Sequence, residues 1–182
     1  MQEIIDIAIL VTERLNKANI QYMISGSVAA SFYAVPRMTN DIDIVIQVFE
    51  KDKETLFNVF SQDFYISRES IDDAFSGVGM FNIIHNKSVS KCDMILLKND
   101  PFSLSAFSRA AQIEFEGHQL KLISLEDLIL QKLLWRKESQ SEQQLNDVIG
   151  LADAGRNSID IRYLFKWADV LSVLPEIKKI YE

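Results

Sequence analysis

The chain has few of the residues that would tie its function to disulfides, membranes or a basic surface. A single cysteine, Cys92, excludes an intrachain disulfide framework and fits a reducing compartment. The 182 residues hold no apolar run of membrane-spanning length, and Glu3 and Asp6 lie where a secretory signal would be basic. The formal net charge of −7 argues against broad, nonspecific binding of nucleic acid. The sequence therefore predicts a cytoplasmic protein with no membrane partner.

The rest of the composition is that of an ordinary globular protein, with 48% hydrophobic and 25% charged residues. Strand-like and helix-like patterns alternate up to residue 123, whereas only helical patterns follow Ser124. We predict an α+β fold in which a mixed sheet flanked by helices occupies 1–123 and a C-terminal helical subdomain packed on it occupies 124–182. The predicted strands are 21–25, 41–48, 64–66, 79–84, 91–97 and two within 109–123. The predicted helices are 3–18, 27–34, 53–60, 68–76, 124–137, 141–153, 158–168 and 172–181.

Two carboxylates lie close together near the start of one predicted strand. Asp41 and Asp43 flank Ile42 at the head of a β-branched run. Side chains two positions apart on a strand point to the same face, so both carboxylates are expected to converge. They would repel each other unless a cation lay between them, and Mg²⁺ is the usual cation for carboxylates beside phosphates. The alternative, a solvated pair in a turn, accounts for Asp41 but not for Asp43.

A glycine–serine pair lies upstream of these carboxylates, at a predicted strand-to-helix turn. Gly26 and Ser27 open the helix-like stretch 28–34. A glycine at such a turn lets backbone N–H groups and the helix dipole meet an anion such as phosphate. By itself the pair would be interpreted as an ordinary helix N-cap, since serine is favoured there. A phosphate cradle upstream of metal-binding carboxylates favours nucleotide chemistry.

The order and spacing of these motifs carry a family resemblance. Gly26-Ser27, thirteen residues, and then Asp41-Ile42-Asp43 resemble the signature of DNA polymerase β-like nucleotidyltransferases. With Arg37 and Thr39, the acidic pair also matches the Arg-x-Thr-x-Asp-x-Asp pattern common in the small bacterial branch, which includes toxin–antitoxin and abortive-infection enzymes and relatives of unassigned role. The resemblance would set the charge of Arg37 beside the carboxylates or the phosphates of a nucleotide. A solvated loop cation is the alternative for Arg37.

The resemblance implies a minimal nucleotidyltransferase fold and a reaction that moves a nucleoside monophosphate from an NTP to an acceptor hydroxyl, releasing pyrophosphate. It also implies two Mg²⁺ ions and a third acidic ligand on a later strand. Asp93 is the candidate, because it interrupts the apolar run 92–97, where a lone carboxylate is unfavourable unless paired or metal-bound. It would hold the ion nearer the acceptor and favour removal of the acceptor proton. The alternative is an aspartate on the exposed face of an edge strand.

Two cations fall near the middle of an apolar helix face. In the predicted helix 124–137, Lys132 and Arg136 lie among leucine and isoleucine positions, and a buried cation needs an anionic partner. Glu142 on the next helix and the triphosphate of a bound nucleotide are both candidates, while snorkelling to the helix edge is the alternative. The resemblance implies that Lys132 binds the nucleotide, and it matches Asp147 to an aspartate on the following helix.

The sequence leaves the acceptor open among tRNA, a protein side chain and a small molecule, and no motif selects the base of the NTP. One alternative function is a catalytically silent binding or regulatory protein of a toxin–antitoxin-like operon, with a cognate antitoxin as its partner. Another is a small-molecule antibiotic adenylyltransferase. A deep acidic acceptor cleft would favour the antibiotic enzyme, whereas a broad basic groove would favour tRNA.

Overall fold

A computed structural model describes residues 2–34 and 38–181, and within them seven strands form one mixed sheet flanked by helices. The predicted α+β fold class is therefore confirmed. The strands are β1 (Gln21–Ser25), β2 (Asp41–Gln47), β3 (Phe64–Tyr65), β4 (Met80–His85), β5 (Lys91–Leu96), β6 (Ala111–Phe115) and β7 (His118–Leu122). The helices are α1 (Gln2–Lys17), α2 (Gly26–Tyr33), α3 (Lys53–Phe60), α4 (Arg68–Asp73), α5 (Pro101–Ser108), α6 (Leu125–Ser139), α7 (Glu142–Ala154), α8 (Ile161–Val170) and α9 (Leu174–Tyr181).

The sheet has the strand order β3-β4-β5-β2-β1-β7-β6, which places β2 at its centre. β2 runs antiparallel to β1 and parallel to β5. Its even-numbered residues Ile42, Ile44 and Ile46 are fully buried, as the β-branched run requires for a central strand. The amphipathic helix α1 contacts β1, β2 and α3. The odd-numbered residues of β2 lie on the other face of the sheet.

The chain after residue 123 forms only helices in its described part, and α6 is the helix that reaches the site. It contacts α2, α7 and α8. Its residues from Glu126 to Leu130, together with Lys132 and Leu133, are all buried. Because α6 is covered on several sides, its buried residues do not form the single apolar face that a helical wheel of a surface helix shows.

A buried polar cluster holds the start of α6 in place. Asp127 is fully buried, and it accepts hydrogen bonds from the hydroxyls of Ser124 and Tyr163, both at 2.7 Å. Arg109 donates to Asp127 at 3.3 Å and to Glu126 at 3.2 Å. Ser124 also caps α6, because its hydroxyl accepts from the Asp127 N–H. These bonds join α6 to α8 and to the end of α5.

One predicted helix differs in the structure. The helix predicted over 68–76 ends as an α-helix at Asp73 and continues as a single π-helical turn to Val78, where Gly77 has φ +133°. The stretch after Asp100 forms the regular helix α5. Its start is fixed by the Asp100 carboxylate, which accepts from the Ser103 N–H at 2.9 Å. Within the described residues, no helix is both long and apolar enough to cross a membrane.

Candidate active site

The parallel pairing of β2 with β5 brings distant acidic residues together. Asp43 is the Cα partner of Asp93, and Asp41 is the partner of Lys91. Residues in register on neighbouring strands share a face, so all four side chains lie on the same side of the sheet. Asp93 is therefore beside Asp43 on an interior strand, and the alternative of an edge-strand aspartate does not hold.

The turn at Gly26 lies against the same carboxylates. Antiparallel pairing sets Ser25 opposite Asp43, and Gly26 follows at φ +62° as the first residue of α2. A Cβ at Gly26 would overlap the Asp43 Oδ2 atom, so a glycine is needed both for the backbone conformation and for the carboxylate. The Ser25 side chain does not cap α2. The positive end of the α2 dipole, with Ser27 in its first turn, thus lies beside Asp43.

The carboxyl group of Asp43 has a raised pKa. Burial raises its pKa to about 6, and the negative charges of Asp93 and Asp41 act in the same direction. Lys132 and Lys91 lower the pKa but do not offset the rise. A divalent cation would stabilise the ionised form of a carboxylate whose pKa is raised by burial and by acidic neighbours. Together the carboxylate oxygens are a donor set that fits a hard ion such as Mg²⁺.

Lys91 is a site residue that the sequence reasoning missed. Its Nζ lies 3.3 Å from Asp41 Oδ1 and 3.2 Å from Asp93 Oδ1, and it donates to Asp93 Oδ2 at 3.3 Å. Burial favours a lower pKa for Lys91, but hydrogen bonds and charge from the two aspartates raise it overall. The available signal was the spacing Lys-x-Asp, which places Lys91 and Asp93 on one strand face.

The ammonium of Lys91 lies between two of the carboxylates, since both Asp41 and Asp93 pair with it. Over residues 2–34 and 38–181, no group of three or more Asp, Glu, His or Cys side chains is set to hold a metal ion by itself. The role of the three aspartates as metal ligands stays a prediction. Asp93 Oδ1 is buried and accepts no hydrogen bond.

Lys132 is buried behind the site, with 1% of its side chain exposed. Its Nζ pairs with Asp147 Oδ2 at 2.7 Å and donates to Gln144 Oε1 at 3.3 Å. Of the partners considered from sequence, Glu142 is exposed and is not the one used. Snorkelling is excluded for Lys132 because its ammonium is enclosed. Its charge nevertheless reaches the carboxylates, since it lowers the pKa of Asp43.

The remaining predicted cations are less defined. Arg37, predicted to bind nucleotide, lies outside the described residues. Arg136 is partly buried, and its Nε is a buried atom without a hydrogen bond. Thr39, from the same motif as Arg37, accepts from the Asp41 N–H at 3.3 Å and donates to the Asp41 carbonyl at 3.2 Å. Thr39 therefore fixes the backbone where β2 begins.

A cavity of about 460 Å³ lies beside the carboxylates on the same face of the sheet, and none of the three aspartates lines it. Its floor is a row of apolar side chains, Met23, Val45, Ile95 and Met80, which pair across β1, β2, β5 and β4. This row is two residues along the strands from the row that holds Asp43 and Asp93, a separation of about 7 Å. Ser25 lines the cavity as well, so the carboxylate row and the apolar row form one continuous surface.

The wall opposite the sheet comes from α6. Gln131, Leu134, Trp135 and Glu138 line the cavity at the spacing of one helix face. Asp100, which caps α5, lines it from a third side, and Lys98 is also present. The cavity is thus mainly apolar and has polar groups on several sides.

Comparison with known proteins links this arrangement to one fold. No protein-family model and no curated protein matches the chain. Among solved structures, a nucleotidyltransferase-like antigenic protein from Paracoccidioides brasiliensis aligns with TM-score 0.61 and 17% identity over 100% of this chain and 93% of its own. ANT(2")-Ia in complex with adenylyl-2"-tobramycin aligns with TM-score 0.61 and 12% identity over 94% and 98%. The lincosamide antibiotic adenylyltransferase LnuA, bound to lincomycin, aligns with TM-score 0.53 and 10% identity over 79% and 93%.

These likenesses establish the fold. At identities of 10–17% they do not carry over an activity or a substrate. The chain has the nucleotidyltransferase fold, as its motifs predicted, whereas no comparison separates the toxin–antitoxin branch from the others.

Proposed function

We propose that this protein, which has the nucleotidyltransferase fold, transfers a nucleoside monophosphate from an NTP to an acceptor hydroxyl in a Mg²⁺-dependent reaction. One observation carries the proposal: Asp41, Asp43 and Asp93 share one face of the sheet, and Asp43 lies against the glycine turn that begins α2. A phosphate-binding turn in contact with a metal-binding carboxylate is what nucleotidyl transfer needs, since that reaction joins a triphosphate to metal ions.

In the proposed reaction the acceptor oxygen attacks the α-phosphorus, the bond to the β-phosphate oxygen breaks, and pyrophosphate leaves. Asp41, Asp43 and Asp93 would hold the two ions, which when bound stabilise charge on the attacking and leaving oxygens. The N–H groups of the first turn of α2, with Ser27, would bind the β- and γ-phosphates. Asp93 would orient the acceptor hydroxyl and receive its proton, which then passes to solvent.

Positive charge around the triphosphate would come from two sources. Lys132 is the enclosed one, and its pairing with Asp147 fixes its position relative to Asp43. Arg37 would be the second, as the family resemblance implies. Because Lys132 is already neutralised in part by Asp147, we assign it a long-range effect on the phosphates and carboxylates.

A small-molecule acceptor is the candidate that the cavity favours. The cavity reaches the carboxylate row at Ser25 and has an apolar floor, and Glu138 and Asp100 supply acidic groups at its sides. Its volume of about 460 Å³ is in the range of small-molecule sites. Two of the aligned structures contain an antibiotic or an adenylylated antibiotic, tobramycin in one and lincomycin in the other. The net charge of −7 disfavours tRNA as the acceptor.

The direct test is incubation of the purified protein with each α-labelled NTP, Mg²⁺ and a panel of hydroxylated amines that includes tobramycin and lincomycin. Label in a small product, with matching release of pyrophosphate, would support the proposal. Asp43→Asn is the control, and we expect no turnover and an intact fold by circular dichroism. Turnover by Asp43→Asn equal to that of the wild type would refute the assignment.

The same assay distinguishes the proposed transferase from a regulatory protein without catalytic activity. A catalytically silent partner in a toxin–antitoxin-like operon would bind an NTP and release no pyrophosphate with any acceptor. Label on the protein itself, on an added protein or on tRNA would replace the small-molecule acceptor with a macromolecular one. A cognate antitoxin and a cytoplasmic location remain predictions from sequence.

A further inference from the structure

We propose that Lys91 is a built-in cation that occupies the carboxylate site and competes with the divalent ion for Asp41 and Asp93. The inference rests on the proposed function in one respect: it takes the two aspartates as metal ligands. It adds a positioning residue that the sequence motifs do not contain.

The first observation is the position of the ammonium. Lys91 Nζ lies within 3.3 Å of oxygens from both Asp41 and Asp93. A single positive charge between two carboxylates removes much of their mutual repulsion. Lys91 thus does for this pair what a metal ion would do, although with one charge instead of two.

The second observation is how the strand register produces this position. Lys91 is the Cα partner of Asp41 across β5 and β2, and Asp93 follows two residues later on the same face. Backbone pairing therefore places the Lys91 side chain beside Asp41 and next to Asp93, on the same face of the sheet. Asp43 lies two register positions further along, beside Asp93 and not beside Lys91. The positive charge of Lys91 lowers the pKa of Asp43, but burial and the acidic neighbours raise it by more.

The third observation is that the Lys91 side chain is partly exposed, which allows its ammonium to leave the two aspartates. Its side chain is 36% exposed, and its partner Asp41 is 55% exposed. A lysine stem has four methylene groups, so the ammonium can move into water without breaking the backbone pairing. Lys132 is the opposite case, because it is 1% exposed and held by Asp147. The site thus has one fixed lysine and one displaceable lysine.

Lys91 is expected to affect both the binding of a divalent ion and the stability of the protein without one. A divalent ion that binds Asp41 and Asp93 must first replace or repel the Lys91 ammonium, so Lys91 weakens metal binding. It also stabilises the protein when no divalent ion is supplied, because it keeps two neighbouring carboxylates paired. Lys91 would raise the divalent concentration at which the site fills and so limit filling at low Mg²⁺.

The test is Mn²⁺ binding measured by titration calorimetry and by electron paramagnetic resonance, which need no substrate. Lys91→Gln should bind Mn²⁺ at least about tenfold more tightly than the wild type, because a like charge within a few ångströms is removed. Lys121→Gln is the matched control, since it also removes one positive charge, from a lysine whose Nζ donates to the neutral side chain of Gln21. We expect Lys121→Gln to bind as the wild type does.

Thermal melting gives a second readout that does not depend on metal affinity. In EDTA, Lys91→Gln should melt at a lower temperature than Lys121→Gln, and saturating Mn²⁺ should remove that difference. Lys91→Arg keeps the charge and should retain wild-type Mn²⁺ affinity. If Lys91→Gln does not fold in EDTA, added Mn²⁺ should restore the folded protein, because the ion then neutralises the two carboxylates in place of the ammonium. Failure of Mn²⁺ to restore the fold would overturn the role of Lys91.

The outcomes separate this inference from the proposed function. Equal or weaker Mn²⁺ binding by Lys91→Gln, with binding lost in Asp43→Asn, would overturn the role of Lys91 and leave the proposed function standing. Absence of Mn²⁺ binding in the wild type and in every variant, with and without added ATP, would overturn both.

Discussion

The pKa of Asp43 depends strongly on the surroundings of its carboxyl group. Burial and the neighbouring Asp93 raise its pKa from 3.8 to about 6. The folded protein then holds a proton on Asp43 at pH values where the unfolded chain has lost it. The contribution of Asp43 to the free energy of unfolding is complete below pH 4 and is lost as the pH rises through about 6.

This titration is measurable by comparison with Asp43→Asn, which cannot ionise. Urea unfolding in EDTA should show the stability of the wild type falling relative to Asp43→Asn by about 3 kcal/mol at most between pH 4 and pH 7. Asp6→Asn, an exposed change on α1, serves as the control and should show no such trend. Parallel stability curves for the wild type and Asp43→Asn would contradict the raised pKa.

Gly26 is the second residue whose identity follows from its neighbour. Gly26→Ala should lose most nucleotidyl transfer, because the new Cβ displaces the Asp43 carboxylate. It should also destabilise the fold by about 1–2 kcal/mol from backbone strain alone, and by more if Asp43 cannot move. Unfolding curves and pyrophosphate release provide the two measurements.

Gly117→Ala is the matched control for backbone strain. Gly117 has φ +80° in the turn between β6 and β7, and a Cβ there meets open space. Gly117→Ala should therefore lower the free energy of unfolding only through backbone strain, and pyrophosphate release should be unchanged. Equal activity in Gly26→Ala and Gly117→Ala would show that the contact with Asp43 has no functional consequence.

At the scale of elements, the ion pair between Lys132 and Asp147 joins α6 to α7. Both side chains are nearly enclosed, with exposures of 1% and 9%. Removing Lys132 takes the 2.7 Å ion-pair partner away from a nearly enclosed carboxylate. Lys132→Met should therefore lower the free energy of unfolding by about 3–5 kcal/mol.

Two variants define the origin of this loss in urea unfolding. Lys132→Met combined with Asp147→Leu should recover part of the stability, because both charges of this ion pair are then removed together. Arg156→Met breaks an exposed pair with Asp153 and should change stability by less than about 1 kcal/mol. A Lys132→Met variant as stable as Arg156→Met would mean that Asp147 is solvated without its lysine.

At the scale of the whole molecule, the cavity exists only because α6 packs opposite the sheet. Trp135→Ala should raise the KM for the acceptor identified by the labelling screen by about tenfold or more, since a large apolar contact is lost. The KM for the NTP should stay within about twofold, because Trp135 lies on the apolar side of the carboxylate row. Tyr65→Ala, an exposed aromatic change on the edge strand β3, is the control.

An unchanged acceptor KM in Trp135→Ala, with thermal melting close to that of the wild type, would remove the cavity from the acceptor site. An increase in the KM for the NTP alone would instead assign the cavity to the nucleotide. Either result leaves the carboxylate chemistry untouched, so the acceptor proposal is tested separately from the reaction.

Local patterns were enough for most of the fold. The β-branched run after Asp41, the serine caps and the periodic helices are encoded by neighbouring residues, and each predicted strand and helix has a counterpart within a few positions. The prediction was least complete at residues 74–78, because a π-helical turn depends on the geometry of one glycine. The helical wheel of α6 also placed Lys132 correctly in the interior but did not identify Asp147 as its partner.

By itself the sequence determined the fold class, the elements and the choice of Gly26, Ser27, Asp41, Asp43 and Asp93 as site candidates, because side-chain alternation and motif spacing are local properties. Only the tertiary structure decided the register that sets Asp93 beside Asp43, the pairing of Lys91 with two aspartates and the cavity under α6. These depend on which strands become neighbours, and contacts between residues fifty positions apart arise from packing, which no local pattern specifies.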